Sequence, residues 1–501
     1  MNSMTTVWVT IAIYAAALVA VGVITGKGKK NISDVTVGGR QAGAWLSALS
    51  YGTAYFSAVM FVGYAGSTGY GFGLWGILAG IGNAVFGSYL AWKILARKTR
   101  ALTAKHNLQT MPGFFEARYG SRAMKLFACV VIFVFLIPYS ASVYKGLGSI
   151  SQVLLGISDT AFMVIIAVLA AVLLLLGGYK AQARADFVQG IVMLVGVSVL
   201  IVFVIGTPQV DGLAGLADYA KSDIGLPKLV GKQWVSLLSL VLMTSFGTWG
   251  LPQMIQKYFG IKDDKQARRG IWISTFFAVL VAGGGYFIGS LCYRFFTKSQ
   301  MDALPTKDFI VPEMLKAAAL PDILLGIVIV LLLAASVSTL CSVTLTAAST
   351  FSVDFIGTIK PKTSDKSLRM ITQGLCVLFV IVSYFVANSK TPILELMSYS
   401  WGIISGSFLA PYVLALYFKW IGKRGAWAGI LAGFFVALPP AVCRLLTSFP
   451  ALKDNATVLW FSGNGPLFAC VAMLVSLLVT AGVSALGNPR ENEAFYDGLD
   501  A

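Results

Sequence analysis

About thirteen times along this chain, a run of roughly 20 predominantly apolar residues recurs, each long enough to cross the hydrocarbon of a bilayer as a helix. The chain has 501 residues, 57% hydrophobic and 12% charged, with a mean hydropathy of +0.79. That composition belongs to membrane proteins, not to soluble ones of this size. Inside hydrocarbon the backbone must satisfy its own polar groups, so only helices and closed barrels span. A barrel would show short alternating strands, and no such pattern is sustained here. The fold class expected is an all-α polytopic membrane protein.

The net charge of +17 does not point to nucleic acid, because Lys and Arg gather in short loops between apolar runs. The most basic loops hold Lys27, Lys29, Lys30 and Arg40, then Arg97, Lys98, Arg100, Lys105, Arg118, Arg122 and Lys125, then the segments KYFGIKDDKQARR and KPKTSDKSLR. They all follow odd-numbered spans and so fall on one side. The positive-inside rule makes them cytoplasmic, with the N-terminus outside and the C-terminus inside. The first apolar run lacks a basic leader and a clear cleavage site, so it reads as a retained span. The six cysteines lie in or beside apolar runs with neither disulfide nor metal spacing, and the single histidine, His106, makes a histidine metal site or a catalytic triad improbable.

Within the ninth span, residues 332–354 read LLAASVSTLCSVTLTAASTFSVD. Ala335, Ser338, Thr339 and Ser342 fall at i, i+3, i+4 and i+7, one face of a helix. Hydroxyls at mid-membrane need partners. Close helix packing through small residues satisfies that need, and so does a bound ion.

Two other spans are interrupted. The second, about 44–69, contains SALSYGTAYFSA; the seventh, about 234–255, contains TSFGTWGLPQ with Gly247, Gly250 and Pro252. Glycine and proline both favour unwinding there. The breaks stand five spans apart, which divides the chain into two five-helix repeats, 44–232 and 233–424. An extra helix and basic loop (1–43) precede them; two helices and a tail (425–501) follow. Gly/Pro-interrupted spans at matching places in two halves point to a transporter site, since unwound carbonyls suit Na+ and half-helix dipoles face the solute.

The segments VGGRQAGAWLSALS, GGYKAQARADFVQG, FGTWGLPQ, ASVSTLCSVTLTAASTFSVDF and LMSYSWGIISGSFLAPYVL resemble those of the sodium/solute symporter family, and the layout is similar to its bacterial proline and pantothenate members. The resemblance implies a leucine-transporter-type core of inverted five-helix repeats with one extra N-terminal helix, a bacterial inner-membrane location, and Na+ as coupling ion. It implies a main sodium site between spans two and nine, with carbonyls from Thr53, Phe56 and Ala335 and hydroxyls from Ser338 and Thr339. Some members hold a second sodium on an aspartate that matches Asp186, whose partners would be Ser338 and Ser342. Cys341 stands where those members carry another hydroxyl, and a thiol is a poor ligand for a hard cation. The other reading of Asp186 is a helix N-terminal carboxylate paired with Arg184 or Lys180.

A solute pocket is expected beside the breaks, lined by Tyr55, Ser57, Thr248, Trp249, Gln253 and Trp401. Interfacial anchoring or packing is the other reading of Trp401. Tyr55, Val59, Thr244 and Thr248 depart from the proline type, so proline is a poor fit. Glu395 is expected near the outer surface. None of these pocket residues is an acid, which favours a small organic carboxylate, such as pantothenate, a monocarboxylate or a sugar acid. The function expected is sodium-coupled symport by alternating access, with no enzymatic role. The alternatives are a sodium-responsive sensor of the same fold, which fused signalling domains would favour, and a symporter of a neutral or zwitterionic solute such as an amino acid or sugar.

Overall fold

The computed structural model describes residues 3–26, 36–389, 391–487 and 495–496. Lys27, Lys29 and Lys30, and the acidic tail from 488 onward except 495–496, lie outside the described residues. Among the described residues, ten helices are long and apolar enough to cross a membrane, or eleven when one bent pair counts as a span. Two more expected spans account for the difference from thirteen. One is a 17-residue apolar helix, Asp159–Leu175. The other begins with the half-helix Ala44–Tyr55 and then runs into the third span as nearly continuous helical turns, 59–105.

In chain order the elements that build the site are α1 (Ser3–Gly26), α2 (Ala44–Tyr55), α3 (Ala65–Phe72), α4 (Arg122–Ile150) and α5 (Asp159–Ile205). Next come α6 (Gly231–Phe246), α7 (Pro252–Phe259), α8 (Asp264–Ser290), α9 (Asp322–Ser349) and α10 (Asp365–Ala387). The last are α11 (Ile393–Tyr417), α12 (Lys423–Leu446) and α13 (Gly465–Ala485). Gly178 interrupts α5 with φ 54°, a conformation open to glycine and strained for other residues. It separates the 17-residue helix from Gly178–Ile205.

Helix α9 is the axis of the molecule. It packs against α1, α2, α4, α5 and α10, and every residue from Val328 to Thr350 is buried. A helix apolar or small on all faces is one surrounded by protein. The hydroxyl face noted in the sequence is therefore one of several buried faces, directed at α2 and α5.

Both expected breaks are present. The first half-helix ends when the Phe56 N–H donates to the Gly52 carbonyl (2.9 Å). Phe56 is extended (φ −103°, ψ 102°), and the chain resumes as a π-helical turn, Val59–Tyr64, followed by α3. The second break follows α6. A 3₁₀ turn, Gly247–Trp249, leads through extended Leu251 to Pro252, the first residue of α7, and the two halves are bent by 41°. Proline fits a helix start, where its missing N–H is no loss.

The two broken helices are joined at the ends away from their breaks. Ala42 and Ile261 form a parallel bridge, with Ala42 N–H donating to the Gly260 carbonyl and Lys262 N–H to the Ala42 carbonyl, both at 3.0 Å. Arg40 donates to the carbonyls of Phe259 (3.1 Å) and Thr103 (2.9 Å). The Ala44 N–H donates to the Gln266 side-chain oxygen (3.0 Å). The start of α2 and the end of α7 are thus one bonded unit.

Helix α3 crosses α8 with no room for side chains. A Cβ on Gly69 would lie 2.0 Å from the Gly289 carbonyl oxygen, and one on Gly289 would lie 2.3 Å from the Ala65 carbonyl oxygen. Such small-residue contacts hold membrane helices together by close backbone packing. Gly289→Val is expected to lower the thermal midpoint in detergent by several degrees, an overpacking cost of about 1–3 kcal/mol. Gly374→Val in α10, where a Cβ meets nothing within 4 Å, is expected to leave it unchanged; thermal unfolding followed by size-exclusion chromatography checks both.

Candidate functional site: the junction of the broken helices with α9

The first break exposes carbonyls that the helix no longer uses, and α9 supplies the hydroxyls that meet them. Thr339 Oγ1 lies 3.1 Å from the Thr53 carbonyl oxygen, 3.4 Å from that of Ala54 and 3.0 Å from that of Ala335. Ser338 Oγ lies 2.8 Å from Thr53 Oγ1 and donates to Asp186 Oδ1 at 2.7 Å. Thr53, Ser338 and Thr339 are fully buried. Four of the five expected sodium ligands, Thr53, Ala335, Ser338 and Thr339, are therefore drawn into one cluster of oxygens. Phe56, the fifth, is the extended residue at the break, its ring stacked on Tyr55 at a centroid distance of 4.1 Å.

Asp186 is fully buried, on α5. Its partner is neither Arg184, which donates to Thr25 Oγ1 (3.3 Å), nor another residue of its own turn. Lys257 of α7 reaches it from across the second break, with Nζ 3.1 Å from Asp186 Oδ2 and 2.9 Å from Ser50 Oγ. Ser50 of α2 donates to Asp186 Oδ2 as well. Of the expected companions of Asp186, Ser338 is bonded to it, whereas Ser342 is bonded to the side chain of Gln182. The Cys341 thiol points to the Ala170 carbonyl (3.8 Å).

The expected solute residues divide into two groups. Trp401 is buried between both breaks: its ring lies 6.1 Å from that of Tyr55 and 5.7 Å from that of Tyr139. A Cβ on Gly247 would sit 3.0 Å from it. It is therefore packed inside the protein, away from lipid. Tyr55 donates to the Thr244 carbonyl at 2.5 Å. Gln253 stands in the first turn of α7, and both of its amide atoms are buried without a hydrogen-bond partner, as is Trp401 Nε1. The other group is turned to local structure. Trp249 donates to the Phe86 carbonyl (2.9 Å) and packs on Phe246. Thr248 Oγ1 donates to the Ser245 carbonyl (2.9 Å), and Ser57 Oγ accepts from the Val59 N–H (3.2 Å).

Glu395, in the first turn of α11, accepts from Tyr399 Oη (2.9 Å) and lies 3.6 Å from Arg444. Nearby, Asp308 of the loop before α9 accepts from the Ile393 N–H (3.2 Å). Burial pushes its carboxyl above the ordinary range, and that hydrogen bond partly offsets the rise.

Sequence reasoning missed Lys257, Ser50 and Gln182. By composition Lys257 falls among the loop charges that orient the chain. The signal that finds it is its place five residues after Pro252, inside α7, where a loop charge would have to follow the helix.

Known structures share this architecture. A Na+-coupled sialic acid symporter in a substrate-bound outward-open state superimposes with a TM-score of 0.77 at 16% identity, over 97% of this chain and 98% of that one. Mhp1, a nucleobase-cation-symport-1 family transporter in a closed conformation, gives 0.50 at 14% identity, over 92% and 98%. The fold is that of the leucine-transporter type. The chain belongs to the sodium:solute symporter family, whose model matches residues 36–433. Its relatives include the osmoregulated proline transporter OpuE of Bacillus subtilis, 27% identical over 85% of this chain and 86% of that one. Another is a sodium/proline symporter of Staphylococcus aureus, 28% identical over 86% and 85%. The activity is sodium-coupled symport of a small organic solute; Na+ is the coupling ion, and the protein is a transporter, not an enzyme.

Thr339→Ala is expected to raise the sodium concentration for half-maximal transport about tenfold or more, the equivalent of roughly 1.4 kcal/mol. The thermal midpoint without sodium should fall by only a few degrees, the cost of carbonyls left without their hydroxyl. Transport measured against sodium, beside thermal unfolding, separates the two effects.

Proposed function

We propose that the coupling ion binds among the carbonyls of Thr53, Phe56 and Ala335 and the hydroxyls of Ser338 and Thr339. Oxygen-only sites suit a hard monovalent cation, and unwound carbonyls are where such transporters coordinate Na+. The observation that carries this reading is the Thr339 hydroxyl on the freed carbonyls of Thr53 and Ala54. Binding there joins α2 to α9 and closes the repeats 44–232 and 233–424 around the solute, which gives alternating access.

The basic loops support an N-terminus outside and a C-terminus inside a bacterial inner membrane, so that sodium enters down the membrane potential. That entry contributes about 2.3 kcal/mol per charge per 100 mV.

The solute is a small organic molecule that presents a carboxylate. Tyr55, Trp401, Gln253, Thr248, Trp249 and Ser57 offer no acid for a cationic group. The buried Trp401 Nε1–H and Gln253 amide lack partners, and an unpaired buried donor is costly unless the ligand satisfies it. Gln253 also stands at the N-terminal end of α7, whose dipole favours an anion. A second reading, proline itself, is supported by the relatives named as proline transporters; proline carries a carboxylate too.

Proteoliposomes with an inward sodium gradient, against an equal potassium gradient, are expected to accumulate one carboxylate from a labelled panel of pantothenate, monocarboxylates, sugar acids and amino acids. Accumulation of proline alone would establish the second reading. Accumulation of an uncharged solute only would overturn both. Gln253→Ala is expected to raise the solute KM about tenfold or more, the loss of one hydrogen bond to a charged group, with the sodium dependence retained.

A further inference from the structure

The group beside Asp186 is an ammonium in a complete oxygen cage. Lys257 is 2% exposed along its side chain and Asp186 is fully buried. An ammonium has three N–H donors. Two meet Ser50 Oγ at 2.9 Å and Asp186 Oδ2 at 3.1 Å. The third meets the Gln182 amide oxygen at 3.2 Å when that amide is turned to satisfy its neighbours, the orientation in which it also accepts from Ser342. The Tyr179 ring flanks the same nitrogen at 5.4 Å.

These oxygens come from α2 and α5, and the lysine from α7. Asp186 Oδ1 is engaged by Ser338, and Ser342 by Gln182. Cys341 contributes no oxygen. A sodium ion on Asp186, Ser338 and Ser342 would have to share the carboxylate with the Lys257 ammonium, whose Nζ lies 3.1 Å from Oδ2. At the effective dielectric of protein sites, like charges about 4 Å apart weaken binding roughly a thousandfold.

We propose that the Lys257 ammonium permanently fills the cation position beside Asp186, so that each protomer binds one sodium ion instead of two. Asp186 is then a positioning residue. It takes the single hydroxyl proton of Ser338 and leaves the Ser338 lone pairs facing Thr53 and the ion. This inference rests on the assignment of the sodium ion to Thr53, Phe56, Ala335, Ser338 and Thr339.

Equilibrium binding of radioactive sodium to the purified full-length protein, with choline as the replacing cation, tests it without knowledge of the solute. The wild type is expected to saturate at one ion per protomer with a Hill coefficient of about 1, and Thr339→Ala to weaken that ion about tenfold or more. Lys257→Met leaves the carboxylate without its cation and is expected to take up a second ion. Lys257→Met/Asp186→Asn should return to one.

Two ions in the wild type, one weakened by Thr339→Ala and the other lost in Asp186→Asn, would overturn the proposal and leave the main site standing. A folded Lys257→Met protein that still binds one ion would overturn it as well. Should Lys257→Met not fold, the wild-type stoichiometry decides. One wild-type ion insensitive to both Thr339→Ala and Asp186→Asn would instead remove the main-site assignment, and this inference with it.

Discussion

The interaction on which the rest depends is the meeting of Thr339 with the carbonyls that α2 gives up when it ends at Phe56. A backbone that stops being helical inside a membrane strands polar groups where water cannot reach them. The chain tolerates that only because a second helix brings hydroxyls to the same place. The demand explains why α9 is buried from Val328 to Thr350. It also explains why small and hydroxyl residues replace Leu and Ile along it. A helix that must touch α2 and α5 with side-chain oxygens cannot carry bulky branched residues there.

The same demand sets the electrostatics. A carboxylate and an ammonium are both costly to bury, and pairing offsets the cost only when the remaining lone pairs and protons are also satisfied. Here they are: Asp186 is held by Ser50, Ser338 and Lys257. Removal of either charge leaves the other unpaired in the core, which is far more damaging than loss of the pair as a whole. Ser338 belongs to this network and to the oxygen cluster at the break, so the two share one hydroxyl.

Much of this was legible in the sequence, and the limits have physical causes. The breaks were readable because Gly and Pro carry local backbone meaning. The face of Ser338, Thr339 and Ser342 was readable because helical periodicity is local too. Where a face points is a tertiary fact, so the sequence left Ser342 with Asp186 when the structure gives it to Gln182. Charges were harder. Counted by the positive-inside rule, Lys257 and Arg118 look like orienting loop residues. Yet Arg118 is fully buried and donates to the carbonyls of Phe418, Lys419 and Ile421 at the end of α11. A rule based on composition cannot separate a charge that faces cytoplasm from one that ties off a helix. Trp249 and Trp401 both looked like pocket walls. One spends its indole N–H on the Phe86 carbonyl, and the other keeps it unpaired.

The bridge between Ala42 and Ile261 has a mechanical meaning. It couples two half-helices that lie more than 200 residues apart in the chain, and Arg40 and Gln266 reinforce the coupling from either side. A swing of α2 must carry α7 along, because the hinge of each is the break at its far end and the near ends are tied. Under the alternating access proposed above, the two half-helices would turn as one arm on two hinges, like a single lever.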